Sequence, residues 1–195
     1  MFLSAAAGGG FSAFGARLCD ALGAALAAVR VAEAFLVLRA TALGLDSAYA
    51  PLVLVAMSLV YGLGAYPAGA LSDGASPRAM VVAALLTLCA ADACLAFATT
   101  LPLVFCGVAL WGAHMALSQG LFAKLVADAA PRTLRGTAFG LFNVASAIAL
   151  VIGNSLFGIV WSARGAHVAY AVAAVAALGV ALAAFVALRP HAQAD

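Results

Sequence analysis

The stretch Gly69–Val81, GALSDGASPRAMV, decides the fold, because it is a short charged turn set between two long apolar runs. Asp73 stands at the exit of one run and Arg78 at the entrance to the next. A charged side chain at the centre of a bilayer costs about 2.5–3.5 kcal/mol on insertion scales. The turn therefore belongs at a water interface, and the runs beside it belong in lipid.

Composition extends that reading to the whole chain. Hydrophobic residues make up 67% and charged residues 8%, with a mean hydropathy of +1.17, whereas soluble domains carry about 25% charged residues. This composition is that of an integral membrane protein, an all-α one built from helices of about 20 residues that each cross about 30 Å. A net charge of +2 without a basic cluster excludes a nucleic-acid partner, since phosphate neutralisation needs a basic face. Cys19, Cys89, Cys94 and Cys106 lie inside apolar runs without metal-ligand spacing, so they read as small core residues, and no metal or cofactor is expected. Residues 1–16, broken by Gly8, Gly9 and Gly10 and lacking a basic start, read as a flexible lead-in rather than a signal peptide. Residues 17–189 form the membrane domain, and 190–195 a cytoplasmic tail.

Length and hydropathy predict six spans, at roughly 18–42, 49–71, 79–99, 101–124, 137–161 and 166–188. The first holds Asp20, Arg30, Glu33 and Arg39. Arg30 and Glu33, three apart, share a helix face and belong towards protein or water. Either they line a pathway or they pair structurally. The second span carries Gly62, Gly64, Pro67 and Gly69, which allow close helix approach and a bend at the proline. Asp92 is the only ionisable group between Ala79 and Thr99, and that span reads as an outer, lipid-facing helix.

The fourth span carries Trp111, His114, Ser118 and Gln119. His114 and Ser118, four apart, face the same way, as solute or proton ligands or as a hydrogen-bonded structural pair. Asp128, Arg132 and Arg135 lie in the turn before the fifth span, in which Gly136 and Gly140 have a close-packing spacing and Asn143, Ser146 and Asn154 add polar groups. The sixth span, apolar after His167 and Tyr170, reads as a second outer helix. With six crossings, Arg17, Arg78, Lys124, Arg132, Arg135 and Arg189 share one side, against Arg39 and Arg164 on the other. The positive-inside rule makes the first side, with both termini, cytoplasmic, in a plasma or bacterial inner membrane. Spans one to three match four to six in order of polarity, as two inverted three-helix repeats of a transporter half.

Two motifs resemble the major facilitator superfamily, specifically its C-terminal six-helix half. GALSDGASPRAMV is similar to the cytoplasmic signature of that family, with Gly69, Leu71, Asp73 and Arg78 in place and Gly74, Ser76 and Pro77 departing from it. Asp128, Pro131, Arg135, Gly136 and Gly140 resemble the corresponding later loop. The resemblance implies half of a major facilitator fold. It also implies a cytoplasmic gate in which Asp73 latches near Asp128 and Arg135, and a cavity bordered by the first, second, fourth and fifth helices.

The function expected is transport of a small solute by alternating access, as a permease or part of one. Arg30, Glu33, His114, Gln119 and Asn143 are the pathway candidates. Charges of both signs hint at a polar or zwitterionic solute, and Glu33, Asp92 and His114 are the groups able to carry protons. A second half is needed, from a missing N-terminal half or from a second copy in a parallel homodimer. A non-transporting scaffold or a truncated half-transporter is the alternative. An enzyme is not expected, since Ser12, Asp20 and Asp92 lack the contexts that position a nucleophile or a catalytic dyad.

Overall fold

The computed structural model describes residues 23–129 and 133–187, without the side chains of 123–125 and 127–129. Every long element is helical. Residues 23–29 form α1, and after a break at 30–32 the chain resumes as α2, Glu33–Ala42. A 3-10 turn at Ser47–Tyr49 leads to α3, Pro51–Gly74, followed by α4, Pro77–Phe97, and α5, Leu101–Ala129. The final helical stretch, Arg135–Ala187, is interrupted at Gly165, whose φ of 85° and ψ of 171° are not helical. Its two parts are α6, residues 135–164, and α7, residues 166–187. A straight helix of 53 residues would be about 80 Å long, so the glycine break lets the chain change direction.

Four helical stretches are long and apolar enough to cross a membrane: Ser47–Gly74, Pro77–Phe97, Leu101–Phe122 and Arg135–Ala187. Their ends follow local chemistry. The Ser76 hydroxyl accepts from the Ala79 amide at 3.2 Å and Pro77 occupies the first helical position, a pairing that suits a helix N-terminus. Two of the residues that depart from the signature motif, Ser76 and Pro77, thus serve to start α4. At the other end of α4, Arg39 donates from Nε to the Leu95 carbonyl at 3.0 Å and from Nη2 to Ala98 at 2.8 Å. His167 Nδ1 meets the Ala96 carbonyl at 2.9 Å. These groups satisfy carbonyls that have no helical partner and complement the negative end of the helix.

The core lies where α4 packs between α5 and α7. Leu88, Ala91, Leu95, Val104, Val108, Trp111, Tyr170 and Ala177 are buried there. Lipid tails are as apolar as leucine, so close van der Waals fit, not hydrophobic driving force, holds membrane helices together. Two glycines of α5 supply that fit. A Cβ at Gly107 would meet the Leu95 side chain at 2.8 Å, and one at Gly112 would meet the Met57 carbonyl oxygen at 2.6 Å.

This packing corrects three expectations. The third span is not an outer helix, since α4 buries Ala84, Leu85, Leu88, Ala91 and Asp92 almost completely. The most exposed span is instead α3, where Leu63 and Tyr66 are 72% and 86% exposed. A sequence apolar on all sides does not reveal which face meets lipid and which meets protein. The better signal is the alanine stripe Ala169, Ala173, Ala177 and Ala181 of α7, all buried at four-residue spacing. Gly136 and Gly140, in contrast, have no atom of the described residues within reach of a Cβ. Cys106 is exposed rather than a core residue, while Cys19 lies outside the described residues.

Candidate functional site

The expected first span is discontinuous. Between α1 and α2 the backbone leaves the helix at Arg30, and Ala32 is extended at φ −68°, ψ 145°. An interrupted helix within a membrane exposes backbone groups that water cannot satisfy, so protein must supply partners. Asn154 of α6 does so with one side chain. Its Oδ1 accepts from the Ala32 amide at 2.5 Å, and its Nδ2 donates to the Arg30 carbonyl at 3.3 Å and to Leu150 at 2.8 Å. Gly153 beside it lets the two backbones touch, since a Cβ there would overlap the Ala28 carbonyl.

The break presents Arg30 to the interior. The guanidinium carbon sits 5.6 Å from the centre of the Trp111 ring, a cation–π contact. The Nε of Arg30 is buried without a hydrogen-bond partner among the described residues. Trp111 is fully buried and packs edge-on to His114. His114 Nδ1 lies 2.8 Å from the Ala84 carbonyl. A carbonyl only accepts, so that nitrogen carries the proton, and Nε2 is an acceptor without a partner among the described residues.

A cavity of about 300 Å³ opens beside Arg30 between α1, α5 and α6. Its polar lining is Arg30, Ser118, Gln119, Asn143 and Ser146, and its aromatic lining is Phe122, Phe139 and Phe142. The Phe122 and Phe142 rings stack at 6.0 Å. Gln119 is fixed from a fourth helix, since the Tyr61 hydroxyl of α3 donates to its Oε1 at 3.3 Å. A second, apolar cavity of about 280 Å³ lies on the far side of the break, lined by residues that include Val31, Gly153, Phe157 and Ala173.

Of the five pathway candidates, the structure brings Arg30, Gln119 and Asn143 into one cavity. Glu33 sits in the first turn of α2, near enough to act electrostatically on Arg30, but it lines neither cavity. His114 also lines neither and ties α5 to α4 instead. Sequence reasoning missed the clamp at Asn154, the tether from Tyr61 and the ring under Arg30. No spacing rule joins residues that lie between 58 and 122 positions apart on different helices.

At the opposite end of α4, Arg78 lies over the Phe185 ring of α7, 3.8 Å from its centre. Ser72 donates back to the Gly69 carbonyl at 2.7 Å. Asp73 and Arg135 each take part in an interaction. Gly69 and Gly136 face open space. The side chain of Asp128 lies outside the described residues.

Among the described residues, an all-helical bundle of long apolar helices with a broken helix beside a cavity is the architecture of a polytopic membrane protein. The Major Facilitator Superfamily family model matches residues 8–195. The chain belongs to that superfamily, whose members are transporters. No curated protein matches it.

Proposed function

We propose that the chain moves a small solute across the membrane by alternating access, as a major facilitator permease or half of one, with the solute held in the cavity between α1, α5 and α6. One observation carries this reading. Arg30 lines a cavity at a helix break and is the one charged residue among the described residues that do so. Charged groups within membrane spans mark substrate or ion pathways, and transporter sites form at interrupted helices.

In this reading α1 and α2 together make the first of six crossings and α3 to α7 the other five, as two inverted three-helix repeats of the C-terminal half. The contacts of Arg39 and His167 with the C-terminal end of α4 support one shared side for those residues, and the Arg78–Phe185 contact supports the other. The side bearing Arg78 and Arg135 is cytoplasmic, with both termini, in a plasma or bacterial inner membrane, and Asp73, Asp128 and Arg135 form its gate. Exposed apolar faces on α3, with Leu59 and Leu63, and on α6, with Val144, Ile148 and Val151, support pairing with a second half or with a parallel second copy.

Sided labelling tests the mechanism without knowledge of the solute. In a background with Cys19, Cys89, Cys94 and Cys106 replaced by serine, Asn143→Cys is expected to react with a membrane-impermeant thiol reagent from either side of the membrane. Reaction from one side only would contradict alternating access.

A further inference from the structure

Resting on that transport reading, the geometry points to a solute class: we infer that the cavity takes a small organic monoanion, with its carboxylate on Arg30 and Gln119 and its apolar body against Phe122, Phe139 and Phe142. Arginine carries five donors in the plane of its guanidinium. The Trp111 ring engages that group through a cation–π contact, and Arg30 is the one charged residue among the described residues that line the cavity. A planar carboxylate is the group that matches such a fork with two parallel hydrogen bonds.

Gln119 extends the donor set. Its Oε1 accepts from the Tyr61 hydroxyl, and its NH₂ offers two donors to a ligand. Asn143, Ser118 and Ser146 are neutral, and no acidic side chain among the described residues lines the cavity. Glu33 acts on Arg30 electrostatically from outside this lining.

Charge and volume narrow the class further. A single guanidinium neutralises one negative charge, so a dianion such as a phosphate monoester would keep a charge unpaired in a low-dielectric site. The cavity of about 300 Å³ stands at the lower end of small-molecule sites, and it equals about ten water volumes at ~30 Å³ each. The stacked Phe122 and Phe142 rings offer a flat apolar wall to a planar or cyclic body.

The test is equilibrium dialysis of radiolabelled benzoate against the purified full chain in detergent micelles, with neutral benzamide and cationic benzylamine as competitors. Benzoate is expected to bind, with both competitors at least tenfold weaker. Arg30→Gln should weaken benzoate about 10- to 100-fold, as expected for a lost hydrogen bond to a charged group. Arg30→Lys should keep part of the affinity, and Ser155→Ala, on an exposed part of α6 outside the cavity, all of it. Should Arg30→Gln fail to fold, Asn143→Asp adds a carboxylate to an exposed cavity position and should weaken benzoate while strengthening benzylamine. Equal competition by benzamide or benzylamine, absence of benzoate binding, or unchanged benzoate affinity in a folded Arg30→Gln protein would overturn the inference. Two-sided labelling of Asn143→Cys with no benzoate binding would leave transport standing and remove the anion, and one-sided labelling with benzoate binding would do the reverse.

Discussion

Arg30 and Asp92 are both ionisable groups buried in membrane helices, and their surroundings differ in every other respect. Arg30 stands where a helix is broken, over an aromatic ring and beside a polar cavity. Asp92 stands in an unbroken helix between α5 and α7, wholly buried, and neither of its oxygens has a hydrogen-bond partner among the described residues. Its near neighbours include Cys89 on its own helix and the Tyr170 hydroxyl, also buried and unpartnered. It lines none of the cavities beside Arg30. Of the two, Arg30 alone lines a cavity that a ligand can reach.

The largest expected effect separates the two residues directly. Arg30→Gln should reduce benzoate affinity about 10- to 100-fold, whereas Asp92→Asn should leave it unchanged in the same dialysis measurement. Loss of binding in Asp92→Asn would break the comparison, because a sealed residue would then act on the site.

The next effect concerns the break that gives Arg30 its access. Gly153→Ala drives a methyl group into the Ala28 backbone and should destabilise the protein by about 1–3 kcal/mol, the usual range for overpacking. Gly140→Ala, where no atom of the described residues lies within reach of a Cβ, is the matched control and should not lower the unfolding temperature. Equal behaviour of the two variants in a thermal unfolding assay would remove the close crossing at Gly153.

Asn154→Leu tests the clamp itself. It strips partners from the Ala32 amide and the Arg30 carbonyl, and an unsatisfied buried group costs about 1–3 kcal/mol. Hydrogen exchange should rise at Ala32 more than in the middle of α4. The smallest effect belongs to the capped helix, where Ser76→Ala should cost about 1 kcal/mol through loss of its bond to the Ala79 amide. That change should leave benzoate affinity alone, which keeps stability in α4 distinct from recognition at Arg30.

Much of this molecule was legible in its sequence because the strongest signals are local. Long apolar runs announced membrane helices, and the charged turn at Asp73–Arg78 announced a boundary between two of them. Arg30 stood out because a guanidinium in a lipid span needs a reason. What stayed hidden depends on contacts between distant segments. The break at 30–32 carries no proline or glycine of its own, and it is sustained by Asn154, more than a hundred residues away. Likewise, the central place of α4 could not be read from an apolar sequence, since leucine facing lipid and leucine facing protein look alike. Helix spacing pairs Glu33 with Arg30 and His114 with Ser118, yet Glu33 and His114 lie outside the cavity lining, and the hydrogen bond to Ala84 holds His114 against α4.

The central claim is that the cavity beside Arg30 is reached from both sides of the membrane while the Asp92 position is sealed. Thiol labelling of Asn143→Cys and Asp92→Cys, each in the cysteine-free background and with the reagent applied to one face at a time, measures this most directly. Reaction of Asn143→Cys from both faces and of Asp92→Cys from neither is the predicted result. Labelling of Asp92→Cys from both faces with Asn143→Cys protected would contradict the account.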